Sequence, residues 1–168
     1  ENCDTDSEAG IVLISSPETY DFELMEKICG SRTCAVVPEG FDEDLPCEDV
    51  EYVDGDDKID IYGIKVEAFR SDDSTGYFVE MGDTGFYFSM DDRPHEKLFD
   101  LENQVDLAFL RTGDGFLDPE QVVKTAVRIK PGSVALYGDQ EPSVRALKAE
   151  LQDRSIGFLE TGSAEDGE

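Results

Sequence analysis

The chain has 168 residues, of which 39% are hydrophobic, enough to form the core of one domain. Forty-one Asp and Glu residues against 14 Lys and Arg residues give a net charge of −27, which disfavours binding to nucleic acids and anionic lipids. No apolar run approaches the roughly 20 residues of a membrane-spanning helix. We therefore predict a globular protein that binds neither nucleic acid nor membrane.

The acidic residues are spread along the whole chain rather than gathered in a tail. This distribution is typical of a surface adapted to high salt, where counter-ions screen the self-repulsion. It predicts a halophilic, cytoplasmic protein, and a basic partner is a second explanation of the same charge. We predict one domain over residues 11–160, between disordered acidic segments at 1–10 and 161–168.

Four cysteines are present: Cys3, Cys29, Cys34 and Cys47. The spacing of Cys29 and Cys34 is too long for a CxxC motif and no histidine lies near them, which argues against a zinc site. Free buried thiols are expected in a reducing cytoplasm, whereas one disulfide would be expected in an oxidising compartment.

The first third of the chain alternates strands with a helix. A continuous apolar run at residues 11–14 predicts a strand buried on both faces. The next apolar residues recur at helical spacing: Phe22, Met25 and Ile28. A second buried strand is predicted at residues 34–37, and one helical turn at residues 41–45.

The middle of the chain changes to a period of two. Residues 50–53, 59–62 and 64–69 alternate apolar and polar side chains, which predicts half-buried antiparallel strands. The segment Gly82-Asp83-Thr84-Gly85 separates two further strands, and its glycines suit a hairpin turn that requires positive φ.

The last third alternates strands and helices. Asp118 at the N-cap and Pro119 at the first helical position predict the start of a helix. Strands are predicted at residues 105–110, 134–137 and 156–159. The whole order predicts an α/β fold, a layered mixed sheet with helices outside. A Rossmann or P-loop domain is excluded, because neither GxGxxG nor GxxxxGK[ST] is present.

Five segments, in this order, resemble the metallo-β-lactamase superfamily, in particular the branch of ascorbate-6-phosphate lactonase and related metal-dependent hydrolases. Residues 11–23 match its HxHxDH strand, and residues 34–40 match the following strand that ends in Pro. Residues 62–69 match its GVxVEAV phrase, residues 76–92 the hairpin before its bridging Asp, and residues 105–138 its closing segment. The resemblance implies the sandwich of that fold. The family begins with antiparallel strands that only residues 1–10 could match, so it also implies a sandwich missing its first strands.

The resemblance carries over few of the family's metal ligands. The family's ligand positions fall at Ser16, Glu18, Tyr20, Asp21, Phe88, Asp91 and Leu136. Asp91 keeps the bridging carboxylate, whereas the only histidine of the chain, His95, lies at a position that the family does not use. Glu18, Asp21 and Asp91 could form a vestigial oxygen-only site for Mg²⁺, Mn²⁺ or Ca²⁺. In a chain with 41 acidic residues, chance placement is the favoured interpretation.

This pattern predicts a catalytically degenerate domain that serves as a binding or assembly module, with no cofactor expected. Because an uncovered sheet edge tends to recruit another strand, we expect a homo-oligomer or a protein partner at that edge. The alternative is a metal-dependent hydrolase that uses the reduced carboxylate site or residues of a partner chain. Ser15 and Ser16 lack both an elbow motif and a histidine base, which argues against serine hydrolysis.

The net charge generates the first testable prediction. Lowering the salt from about 1 M to about 0.01 M lengthens the Debye length from roughly 3 Å to roughly 30 Å. The repulsion within a chain of charge −27 is then unscreened, so the protein should lose ellipticity and melt at a lower temperature. Circular dichroism over a salt series measures this. An unchanged melting temperature would contradict adaptation to high salt.

Overall fold

The structure is a computed structural model that describes residues 9–71, 74–90, 96–113, 116–138 and 144–159. The strands in these ranges are β1 (Ile11–Leu13), β2 (Cys34–Pro38), β3 (Asp49–Val53), β4 (Lys58–Ile61), β5 (Ile64–Arg70), β6 (Thr75–Met81), β7 (Thr84–Ser89), β8 (Leu107–Thr112), β9 (Ser133–Gly138) and β10 (Gly157–Leu159). The α-helices are α1 (Phe22–Ile28), α2 (Pro119–Ile129) and α3 (Val144–Asp153), and 3₁₀ turns lie at Pro17–Thr19 and Glu96–Leu101.

The strands form two sheets, which confirm the predicted layered α/β fold. The small sheet has the order β1-β2-β3 and is parallel throughout. The large sheet has the order β10-β9-β8-β7-β6-β5-β4; it is parallel from β10 to β7 and antiparallel from β7 to β4.

Three hydrophobic clusters hold four layers together in the order helix, sheet, sheet, helix. The outer face of the large sheet packs against α2 and α3 through residues such as Ala108, Leu110 and Val134. The inner face of β4, β5 and β6 packs against the small sheet, and the far side of the small sheet packs against α1.

Local signals placed several elements correctly. Asp118 caps α2: its carboxylate accepts a hydrogen bond from the Gln121 backbone N–H at 2.8 Å, and Pro119 occupies the first turn. The predicted hairpin between β6 and β7 turns at Gly82, whose φ is +64°. No helix in the described ranges is long and apolar enough to cross a membrane.

Two sequence predictions about the first half are wrong. Strand β3 was predicted to be antiparallel, but it joins the small sheet parallel to β2, with Val50 opposite Ala35. Its alternating pattern indicates a half-buried strand and carries no information about the neighbouring strand. Residues 41–45 form a loop rather than a helical turn, and Pro46 disfavours helical backbone in the residue before it.

Strand β1 is less buried than its unbroken apolar run predicts. Ile11, Val12 and Leu13 are half-buried, and only the following Ile14 is fully buried. The reason is topological, because β1 is an edge strand with β2 on one side. Of the segments predicted to be disordered, residues 1–8 and 161–168 lie outside the described residues.

The structure corrects the expectation of free thiols. Cys29, directly after α1, forms a disulfide with Cys47, which precedes β3, across a sequence separation of 18. Cys34 is a buried free cysteine in β2, and Cys3 lies outside the described residues.

The disulfide generates a stability prediction. A cross-link over a loop of this length stabilises the folded state by about 3 kcal/mol, mainly by restricting the unfolded chain. A reducing agent should therefore lower the free energy of unfolding by about that amount in urea titrations. The control is the double variant Cys29→Ala/Cys47→Ala, whose stability should not respond to the reductant. Equal stability of the wild-type protein with and without reductant would contradict the cross-link.

Candidate functional site

A cleft with a volume of about 630 Å³ opens between the two sheets, within the size range of ligand-binding sites. Strand β1 and helix α1 form one wall of the cleft, and the inner face of β6 to β9 forms the other. The large side chains that line the cleft include several aromatic or apolar ones: Met25, Tyr77, Phe88, Phe109 and Tyr137. The site is therefore a predominantly apolar groove at the open side of the sandwich.

Strand register places Phe88 and Phe109 side by side at the centre of this groove. They are partners in the parallel ladder between β7 and β8, and their rings stack at 4.9 Å with an interplanar angle of 1°. Both side chains are half-buried, and neither belongs to the three hydrophobic clusters formed by the described residues. The described strands of the small sheet cover β4 to β6 and leave β7 and β8 uncovered, which accounts for this exposure.

The tyrosine hydroxyls around the cleft are hydrogen-bonded to the protein itself. Tyr77 donates to the Ile14 carbonyl at 2.6 Å, which ties β1 to β6, and Tyr137 donates to the Ser89 carbonyl at 2.8 Å. Burial raises the pKa of Tyr77 and raises the pKa of Tyr137 to about 12. Neither phenol therefore offers an acid or a base at neutral pH.

Tyr20 stands at the rim, where the surroundings are negative. Its hydroxyl donates to the Asp44 carbonyl, and its ring meets Phe41 edge-on at 5.4 Å. Burial raises the Tyr20 pKa, and the neighbouring carboxylates, led by Asp44 and Glu43, raise it further. The mouth of an apolar groove thus lies in a negative field.

Two of the three carboxylates predicted from the sequence, Glu18 and Asp21, fall in the described part of the chain. Asp21 lines the cleft, but its Oδ1 accepts the Leu24 backbone N–H at 3.0 Å and so caps α1. Glu18 is exposed in a 3₁₀ turn and does not line the cleft. Asp91 and His95 lie outside the described residues. Within the described ranges, no cluster of three His, Cys, Asp or Glu side chains could hold a metal ion.

The remaining positions implied by the resemblance are also poor metal donors. Ser16 is buried with its Oγ 3.4 Å from Thr19 Oγ1, and Phe88 presents an aromatic ring to the cleft. Leu136 points to the outer face and packs in the cluster beneath α2, so Tyr137 takes the place on the cleft side of β9. The donor set in the described ranges does not fit the zinc or iron centres of this fold, which need imidazole and carboxylate ligands.

Sequence reasoning missed Tyr77, Phe109 and Tyr137 as cleft residues. The signal that could have found them is strand alternation. Phe88 was placed at a site position by the resemblance, and its ladder partners Tyr77 and Phe109 share its face. Tyr137 lies on the same face, two residues after Ala135, the partner of Phe109. Applying that rule requires the register between strands, which pattern alone does not provide.

No protein-family model and no curated protein matches the sequence. Solved structures do match. A protein described as a metal-dependent hydrolase from Parabacteroides distasonis gives a TM-score of 0.78 at 20% identity, over 92% of this chain and 76% of that one. YhfI, a metallo-β-lactamase fold protein from Bacillus subtilis, gives 0.63 at 10% identity, over 89% and 73%. CmlA, a diiron β-hydroxylase from Streptomyces venezuelae, gives 0.73 at 16% identity, over 91% and 43%.

These likenesses establish the fold. The chain has the metallo-β-lactamase fold, as the ordered set of five segments predicted. It spans about three quarters of the Parabacteroides protein and less than half of CmlA. At identities of 20% and below, the match concerns the fold and not the reaction.

The buried tyrosines generate a prediction about alkaline pH. The folded-state pKa of Tyr137, about 12, lies above the value of about 10 in the unfolded chain. Its stabilising contribution is therefore complete below pH 10 and is lost as the pH rises towards 12. Tyr137→Phe should flatten this loss, because the substituted side chain does not titrate.

Urea unfolding between about pH 8 and about pH 11 measures this slope. The matched control is Tyr52→Phe, whose side chain is 56% exposed and which should keep the wild-type slope. Near pH 8, the lost hydrogen bond to Ser89 should lower the stability of Tyr137→Phe by about 1 kcal/mol, and this deficit should shrink as the pH rises. Identical slopes for Tyr137→Phe and the wild-type protein would contradict the assignment.

Proposed function

We propose that this domain is a protein-binding module built on the metallo-β-lactamase fold, with an apolar cleft where hydrolases of this fold hold metal ions. One observation carries the proposal. The stacked rings of Phe88 and Phe109 lie on the inner face of the large sheet. They are half-exposed and belong to none of the three hydrophobic clusters of the described residues. Half-exposed aromatic surface of this kind favours association with another apolar surface.

The chemistry of the groove argues against hydrolysis. A metal ion in such a hydrolase lowers the pKa of a bound water so that it can attack a substrate. That role needs donors directed at one point, whereas Phe88 presents a ring, Leu136 faces the other way and Asp21 caps a helix. The cleft tyrosines Tyr77 and Tyr137 donate their protons to backbone carbonyls.

Binding through the cleft accounts for the exposed apolar surface. Full burial of a Phe side chain is worth about 1.5–3 kcal/mol relative to exposure. Because both rings are already half-buried, a partner that covers Phe88 and Phe109 would gain up to about half of that free energy for each ring, without any change in the fold. Because the tyrosines at the cleft are already hydrogen-bonded, such a partner would leave few buried polar groups unsatisfied.

The proposal predicts that the protein purified in high salt holds well under one transition-metal ion per chain by plasma mass spectrometry. It also predicts no saturable binding of Zn²⁺, Mn²⁺, Mg²⁺ or Ca²⁺ in calorimetric titrations, beyond diffuse binding to the acidic surface. The test variant is Asp21→Asn/Asp91→Asn, in which Asn retains the helix cap. The matched control is Asp100→Asn/Asp153→Asn, which removes the same charge elsewhere.

The two variants should give the same titration. About one metal ion per chain that is lost in Asp21→Asn/Asp91→Asn and kept in Asp100→Asn/Asp153→Asn would establish a carboxylate site. That result would favour the metal-dependent hydrolase, the function that the name of the Parabacteroides protein suggests.

A further inference from the structure

The backbone of β1 has a side that no described strand pairs with. The Gly10 carbonyl accepts from Cys34 N–H at 3.0 Å and Ile14 N–H donates to the Val36 carbonyl at 2.9 Å, both towards β2. Successive residues of a strand direct their backbone groups to alternate sides, so those of Ile11 and Leu13 point away from β2. An edge of this kind is a template for another strand.

The open side of β1 faces the uncovered part of the large sheet. Two rows of side chains cross its inner face from β5 to β8: Val66, Val79, Phe86 and Leu107, then Ala68, Tyr77, Phe88 and Phe109. The first two members of each row pack against the small sheet, whereas the last two are half-buried and lie outside the packed clusters of the described residues.

The geometry of a sandwich places an added strand over this surface. Neighbouring strands lie about 4.8 Å apart and packed sheets about 10 Å apart. Tyr77 ties β1 to β6 through Ile14, so a strand beside β1 would lie over β7 and β8. The cleft between Ile11–Ile14 and the rings of Phe88 and Phe109 is the space that such a strand would fill.

The charge around the cleft favours a different protein over a second copy of this chain as the occupant of the β1 edge. The mouth of the cleft is negative, because Asp21 lines it and Tyr20, in the same lining, is hydrogen-bonded to the Asp44 backbone carbonyl. Burial raises the Tyr20 pKa, and the carboxylates around its hydroxyl raise it further. Two copies of a chain of charge −27 would bring like fields together at this mouth. A segment with Lys or Arg near its ends would meet complementary charge.

Building on the proposed function, we propose that the β1 edge binds an extended segment of another protein, which adds a fourth strand to the small sheet. Backbone groups of the segment pair with Ile11 and Leu13. Its alternate apolar side chains pack on Phe88 and Phe109, and its flanking basic residues face the acidic mouth. This is recognition by β-strand addition, in which the backbone supplies affinity and the alternate side chains supply specificity.

The test uses the full chain and a panel of fluorescein-labelled peptides of roughly ten residues, about one strand with short flanks. The peptides share alternate Val, Ile, Leu or Phe positions and two Lys residues at each end. Fluorescence anisotropy should show saturable binding by part of the panel. Replacing the terminal Lys residues with Glu should weaken the best binder about tenfold, and molar salt should reduce that difference.

Two changes test the backbone pairing separately. N-methylation of alternate amides in the best peptide removes the donors of one edge and should weaken binding by more than about tenfold, with the protein unaltered. In the protein, Leu13→Pro removes the N–H on the open side and spares the bonds to β2, whereas Leu13→Ala keeps that N–H. Leu13→Pro should bind more weakly than Leu13→Ala, with circular dichroism confirming that both variants fold.

The outcomes separate this inference from the proposed function. Failure of the whole panel to bind a metal-free protein would overturn strand addition alone, and so would binding that N-methylation leaves unchanged. A dimer in sedimentation that the peptides dissociate would show that a second copy is the natural occupant and would overturn the assignment of a basic partner. Stoichiometric metal in the site would instead overturn the proposed function.

Discussion

The mismatch between a three-stranded sheet and a seven-stranded sheet determines the rest of this structure. The large sheet packs against helices on one face, and its inner face is apolar as well, so that face also needs a covering layer. Here the small sheet buries the inner face of β4, β5 and β6, with Val66, Ala68 and Tyr77 in the core. Among the described strands it ends at β1, and the inner face of β7 and β8 continues as the floor of the cleft. This common cause leaves the rings of Phe88 and Phe109 half-exposed and leaves one side of β1 without a described partner strand.

The cleft contains Phe88, where the resemblance places a histidine ligand, and its lining is mostly aromatic or apolar. Phe88 and Phe109 stack at its centre, and Tyr77 and Tyr137 donate their protons to backbone carbonyls. Such a surface gains free energy when apolar atoms cover it. The proposed role in association rests on these side chains and not on the fold.

Several elements were predictable because their signals are local. Asp118 and Pro119 fix the start of α2, and the glycine turn fixes the hairpin of β6 and β7. The parallel pairing of β3 was not predictable, since alternation in a strand is the same in either orientation. Nor was the disulfide of Cys29 and Cys47, because it depends on the approach of two loops that are 18 residues apart.

Some features of the candidate site were likewise predictable from the sequence, and others required the structure. The resemblance predicted the loss of imidazole ligands at Ser16 and Phe88, since residue identity suffices for that. The direction of a side chain required the structure: Leu136 faces the helices, whereas the adjacent Tyr137 faces the cleft. The capping role of Asp21 likewise follows from the position at which α1 begins. The sequence thus identified which residue types occupy the site positions, but it did not predict which side chains line the cleft.

Amide hydrogen exchange, resolved by residue along β1, tests the central claim most directly. If the small sheet ends at β1, the amides of Ile11 and Leu13 should exchange rapidly with solvent. Those of Val12 and Ile14, directed towards β2, should be protected many times more strongly. Equal protection of all four amides would show that this side of β1 is already covered in the isolated protein, and it would contradict the claim that the edge is open to another strand.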